Sequence, residues 1–190
     1  MVTMPITAID PKTALILVDL QNGIVSLPLA HPVAEVLANA RLLADGFRSR
    51  NLPVVLVNVA GGAPGRVEQS RSLAGRPPEW FELVPELGRH PNDHAVTKRT
   101  WGAFTGTELA DHLAALGVTQ VVIAGISTSI GVESTARQAQ ELGFNVAIVT
   151  DATTDMNLDA YTNSLTRIFP RLGETDTTQR VLAFLDERSE

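Results

Sequence analysis

The sequence predicts an α/β fold in which a parallel sheet carries helices on both faces. Three observations predict it. Short apolar runs alternate with amphipathic segments along the chain. The runs are apolar at nearly every position, as in strands buried on both faces. Strands separated by helices imply right-handed crossovers, and hence a parallel sheet. The 190 residues suit one domain, 1–190, with one sizeable core.

The elements follow in order. Residues 13–18 (TALILV) are too short and too apolar for a stable helix and form the first strand. Residues 33–47 place Val33, Val36, Leu37, Ala40, Leu43, Ala44 and Phe47 at helical spacing. Residues 53–59 (PVVLVNV) are a second, β-branched strand. The stretch 60–92 is rich in glycine and proline, and so long a loop inside a compact domain is usually functional. A short strand covers 94–97. Thr107 caps a helix that Gly117 ends. Strands at 120–124 and 145–150 flank a helix at 131–142 that Gly143 ends. A helix at 157–169 stops before Pro170. A last strand at 172–175 precedes a closing helix at 177–187.

Composition narrows the function. A net charge of -6 argues against nucleic-acid or anionic-membrane partners, which need a clustered basic surface. The densest basic group is Arg66, Arg71 and Arg76 in one loop. The chain has no cysteine, which removes disulfides, thiolate metal sites and a thiol nucleophile together. His31, His90, His94 and His112 lack the short spacing of metal ligands. No basic leader followed by a long apolar run opens the chain, and no stretch approaches a membrane span, so a cytoplasmic location is expected.

In open parallel sheets the site lies beyond the carboxyl ends of the strands. Asp19 follows the first apolar run directly, where partial burial would raise its pKa and let it act as a general acid or base. Taken alone, an aspartate there is more often a turn cap. Lys98 ends the 94–97 strand and reaches the same edge. It could hold Asp19 ionised, bind a substrate carboxylate or stabilise developing negative charge. Arg99 beside it is read as a surface residue. Residues 125–131 make a strand-to-helix turn whose N–H groups could bind an anion, with Ser127 and Ser129 supplying hydroxyls. No histidine is identifiable as a partner for either serine, and the turn is not a Gly-x-Ser-x-Gly elbow. Trp101 and Phe104 could wall a flat pocket or pack in the core. Asp151 reads as a turn and helix-cap residue.

Leu17-Val18-Asp19-Leu20-Gln21, Val96-Thr97-Lys98-Arg99-Thr100-Trp101-Gly102-Ala103-Phe104 and Gly125-Ile126-Ser127-Thr128-Ser129-Ile130-Gly131-Val132-Glu133, in that order, resemble the isochorismatase-like hydrolase superfamily. The resemblance spans about 13–185. It implies a three-layer, doubly wound, Rossmann-like sandwich around a six-stranded parallel sheet, and a small-molecule substrate. Many members hydrolyse amides with an Asp-Lys-Cys triad, whose matching positions here are Asp19, Lys98 and Gly131. Glycine in the nucleophile's place resembles the isochorismatase branch, which cleaves a vinyl ether without a covalent intermediate. The resemblance makes Asp19 and Lys98 catalytic. It places Gln21, Arg66, Trp101, Phe104, Ser127, Ser129, Ile130 and Gly131 at the substrate, with a cis peptide at Ile126–Ser127. The glutamine that follows the second strand in that branch is Val59 here. The metal-binding Asp-His cluster of nicotinamidases is missing from 58–94, so no metal and no cofactor is expected. A homo-oligomer, dimer or tetramer, is implied as well.

Overall fold

The computed structural model describes residues 5–69 and 73–187. Arg71 lies outside the described residues, as do residues 1–4. Six strands, β1 (Thr13–Val18), β2 (Val54–Val59), β3 (His94–Lys98), β4 (Gln120–Ile126), β5 (Asn145–Thr154) and β6 (Glu174–Asp176), form one sheet in the order β3-β2-β1-β4-β5-β6. Every neighbouring pair is parallel. The chain therefore builds outward from β1 in one direction and then, from β4, in the other. The junction of β1 and β4 is the switch point of the sheet, where such folds open a crevice.

Strand β1 is buried at all its positions, and its side chains alternate between the two layers. Leu15 and Leu17 join Leu43, Phe47, Val181 and Leu185 on the face covered by α2 (Val33–Arg48) and α6 (Thr178–Glu187). Ile16 and Val18 join Leu109, Leu113, Val132 and Ala136 on the other face, under α3 (Leu109–Ala115) and α4 (Glu133–Glu141). Burying each such side chain contributes about 1.5–3 kcal/mol, so the two layers fix the sheet before any polar contact is considered.

Several boundaries differ from the expected ones. A short helix, α1 (Asn22–Val25), follows β1 directly. The helix after the 98–105 segment starts at Leu109, and Thr107 spends its hydroxyl mainly on the Ala103 carbonyl, 2.6 Å away. Strand β4 continues to Ile126 because Gly125, at φ 126°, allows β1 to approach: a Cβ there would stand 2.1 Å from the Val18 carbonyl oxygen. Strand β5 continues to Thr154, so Asp151 lies within it. Asp151 still caps a helix, but a distant one: its carboxylate accepts the Thr178 N–H and hydroxyl at 2.7 and 2.8 Å, at the start of α6. Helix α5 (Leu158–Asn163), capped by Asn157, widens into a π turn at Ser164–Ile168. Pro170 is then accommodated in a tight turn, Phe169–Arg171.

Gln21 is one of the points that tie the 60–92 loop to the sheet; the Asn58 side chain, which donates to the Phe81 carbonyl at 3.1 Å, is another. Gln21 is fully buried, and its side-chain amide accepts the Val59 N–H at 2.8 Å while donating to the Val59 and Trp80 carbonyls. Gln21 also bridges to Leu83. Two short 3-10 turns, Pro78–Phe81 and Pro85–Leu87, give this part of the loop its shape.

Candidate active site

Asp19 directly follows β1 with φ 54°, a left-handed conformation that an aspartate tolerates better than most residues. The chain turns sharply there, and the carboxyl group stays in the sheet edge, 5% exposed. Lys98 ends β3 and is 1% exposed. Its Nζ donates to Asp19 Oδ2 at 2.7 Å, to the Trp101 carbonyl at 2.9 Å and to the Thr100 carbonyl at 3.2 Å. An ammonium has three donors, and these contacts use all of them. Of the three roles the sequence left open for Lys98, these contacts agree with the first, a pairing with the Asp19 carboxyl.

Asp19 is less completely served. Oδ1 is buried and, among the described residues, has no hydrogen-bond partner. Burial pushes the carboxyl up from 3.8 to about 6, and the charge and hydrogen bond of Lys98 limit the rise. A carboxyl of this kind is protonated often enough near neutrality to act as an acid.

The turn after β4 lies over this pair. The Ile126–Ser127 peptide is cis. Thr128–Val132 form a single π turn that leads into α4. The Ile130 and Val132 N–H groups both return to the Ser127 carbonyl, at 3.2 and 3.1 Å. The Ser129 N–H and hydroxyl go to Asp155 Oδ2, at 2.7 and 2.8 Å. Three of the turn's N–H groups are therefore engaged inside the protein rather than offered to an anion. Gly131 is buried, and a Cβ built on it would meet Asp19 Oδ2 at 3.1 Å and Val18 Cγ1 at 3.0 Å. A side chain at this position would stand directly on the Asp19 carboxyl.

A family model described as "Isochorismatase domain" matches residues 13–180. The chain belongs to the isochorismatase family. Its members are hydrolases, and this chain is read as one. It is 42% identical over 178 residues to the isochorismatase family protein YwoC of Bacillus subtilis (strain 168), with 90% of this chain and 93% of that one covered. It is 38% identical over 141 residues to the streptothricin hydrolase of Streptomyces noursei, covering 73% of this chain and 48% of that protein. An isochorismatase family protein from Burkholderia thailandensis superposes with a TM-score of 0.91 at 42% identity, covering 97% of this chain and all of that one (100%).

Within this isochorismatase-family fold, the other expected site residues divide into two groups. Trp101 is 64% exposed, and its carbonyl helps hold Lys98. Ser127 and Ile130 are half-buried on the turn, and Arg66 is exposed on the 60–92 loop. Arg99 is exposed, as expected, with Nη1 3.3 Å from the Ala60 carbonyl. Two residues take structural places instead. Gln21 has its amide engaged on the backbone, as described above. Phe104 packs in the core, its ring stacked 6.0 Å from that of Phe144. Sequence reasoning missed the supports. Gln138 accepts the Phe104 N–H at 3.0 Å and donates to the Thr105 hydroxyl at 2.6 Å. Thr135 accepts the Ala103 N–H at 3.1 Å and donates to the Gly131 carbonyl at 2.7 Å. Helix α4 thereby fixes both the 100–105 segment that holds Lys98 and the turn above Asp19. Glutamine and threonine three residues apart on one helix face were the available signal.

Proposed function

We propose that this chain hydrolyses a small carboxylated vinyl ether by general-acid catalysis, with Asp19 as the acid and no covalent intermediate. One observation carries the reading: Asp19 is a buried carboxyl with one oxygen committed to Lys98 and the other without a partner, beneath a position that bears no side chain. Asp19 gives its proton to the terminal carbon of the vinyl group, and the ether carbon becomes an oxocarbenium ion. Water adds to that carbon and loses a proton to the Asp19 carboxylate. The resulting hemiketal breaks its C–O bond to release an alcohol and a 2-oxo acid. One water is consumed, and the acid is regenerated. A substrate carboxylate near Asp19 would raise the acid's pKa further, which favours the reactive form.

Lys98 tunes the acid in this scheme. The substrate carboxylate falls to the exposed arginines, Arg66 first, and to the remaining groups of Ser127 and Gly131. Trp101 lies against the substrate's flat face. The resemblance also carries the expectation of a cytoplasmic homo-oligomer, dimer or tetramer, which light scattering on the purified protein would test.

A second reading is favoured by a relative named ureidoacrylate amidohydrolase: cleavage of a C–N bond by water, with Asp19 as base. Ser129 is a poor nucleophile for it, because its hydroxyl donates to a carboxylate without an intervening histidine. A third reading is a binding protein that keeps the pocket without turnover. Incubation with isochorismate and, separately, with a panel of small amides separates them. Pyruvate release that disappears in Asp19→Asn supports the acid mechanism. Ammonia release supports the second reading. Retention of a carboxylated ligand by both wild type and Asp19→Asn, with neither product formed, supports the third.

A further inference from the structure

The far end of β5 is built around the turn. Opposite Ile123 and Gly125 of β4, the register on β5 jumps from Ile148 to Thr153. Residues 149–152 thus drop out of the β4 ladder, and the strand rejoins it beside the 127–131 turn. Thr153 donates its hydroxyl to the Gly125 carbonyl at 2.8 Å and shares a 2.7 Å hydrogen bond with the Thr128 hydroxyl. Two residues on, Asp155 is 2% exposed. Its Oδ2 takes both donors of Ser129, and its Oδ1 takes the Asn157 N–H at 3.2 Å. Its own carbonyl accepts the Ala30 N–H at 2.8 Å, which anchors the residue to the segment before α2.

The turn lies between two carboxyl groups. Asp155 holds Ser129 from the β5 side; the Asp19 carboxyl lies against Gly131. The Ile130 and Val132 N–H groups are tied to the Ser127 carbonyl, so the turn is internally braced and a displacement at Ser129 is passed to Gly131. Oδ2 of Asp155 accepts two hydrogen bonds from a single residue, Ser129, at 2.7 and 2.8 Å.

We propose that Asp155 is a positioning residue for Asp19: its grip on Ser129 holds the 127–131 turn down on the Asp19 carboxyl, setting the turn's distance from the acid and keeping water off it. Asp155 touches neither substrate nor proton in this role. Its kinetic consequence rests on Asp19 being the working acid; its effect on Asp19 itself does not.

The test is a 13C titration of the aspartate carboxyls in the intact chain, with Asp19 assigned by Asp19→Asn, in wild type, Asp155→Asn and Ser129→Ala. No substrate is needed, so the outcome is independent of the reaction assigned above. In a folded Asp155→Asn protein, water reaching Asp19 lowers its midpoint from about 6 toward 3.8, by roughly one pH unit. Ser129→Ala keeps the N–H contact and moves it in the same direction by less. Where substrate turnover is measurable, kcat falls at least about tenfold with KM little changed. A merely structural Asp155 lowers the melting temperature and leaves the Asp19 midpoint in place, which overturns the proposal. If Asp155→Asn does not fold, an unmoved midpoint in Ser129→Ala overturns it equally.

Discussion

Asp19 and Asp155 stand on opposite sides of one turn, both almost fully buried, and they are held in opposite ways. Asp155 has both oxygens occupied by neutral donors, two of them from the turn itself. Asp19 has one oxygen on an ammonium and the other without a partner among the described residues. Buried polar atoms are nearly always satisfied, and an exception calls for a reason. The satisfied carboxylate organises the backbone around it. The half-satisfied one keeps an open position for a proton or a substrate atom, and its raised pKa suits that use. A site of this kind needs both: one group left incomplete, and a neighbouring one complete enough to hold the surroundings still.

The most direct way to break the contrast is to neutralise the incomplete member. Asp19→Asn removes the acid while keeping its shape, and turnover should fall by about 10²–10⁴-fold; steady-state rates on any substrate found will read it. A residual rate within a few-fold of wild type would remove Asp19 from the chemistry.

Lys98→Met acts on the partner. It leaves a buried carboxyl without its counter-ion, and stability should fall by about 3–5 kcal/mol in urea unfolding at pH 7. It also sharpens the comparison through pH. Burial favours the protonated acid, so wild-type kcat/KM should be level below pH about 6 and fall tenfold per unit above it. Removing Lys98 takes away the influences that lower this pKa, so the limb should move to higher pH. The same group has a stability signature. Its folded pKa is above its unfolded one, so the folded state binds more protons between 3.8 and about 6. Its contribution is most favourable below that window and is lost as pH rises through it.

Gly131→Ala fills the space above Asp19. No left-handed φ opposes the change, but the new Cβ would press on Asp19 Oδ2 and Val18 Cγ1. A cost of about 1–3 kcal/mol is expected in thermal unfolding, together with loss of ligand affinity. Unchanged affinity would show that substrate does not use this space. Trp101→Ala should be the mildest. The ring is exposed, so stability should change by less than about 0.5 kcal/mol, while KM rises if the indole lies against substrate.

The parts of the molecule that were legible in the sequence are those where one local signal suffices. Unbroken apolar runs marked β1 and β2, and the residues just past strand ends pointed to Asp19, Lys98 and the turn. The alternation of short runs with helical segments placed six strands, the resemblance added the cis peptide, and both are present. What stayed hidden depends on contacts between distant segments. The polar 150–155 stretch reads as a turn, because nothing in it announces that the register with β4 jumps and carries Asp155 back to Ser129. Gln21 looks like a ligand-facing residue until the Val59 and Trp80 backbone groups are seen around it. The role of Lys98 could not be settled from its position alone, since two of its three partners are carbonyl oxygens, which every residue possesses.

Those three partners have a practical consequence for protein chemistry. The chain has two lysines, Lys12 and Lys98. Lys12 is exposed, while Lys98 is buried with every N–H donated. An amine-reactive label applied to the native protein will therefore acylate Lys12 and spare Lys98, even though both are ordinary primary amines. Mass spectrometry of the Lys98 peptide then becomes a clock: the rate at which the label appears there measures how often the interior of this edge of the sheet opens to solvent.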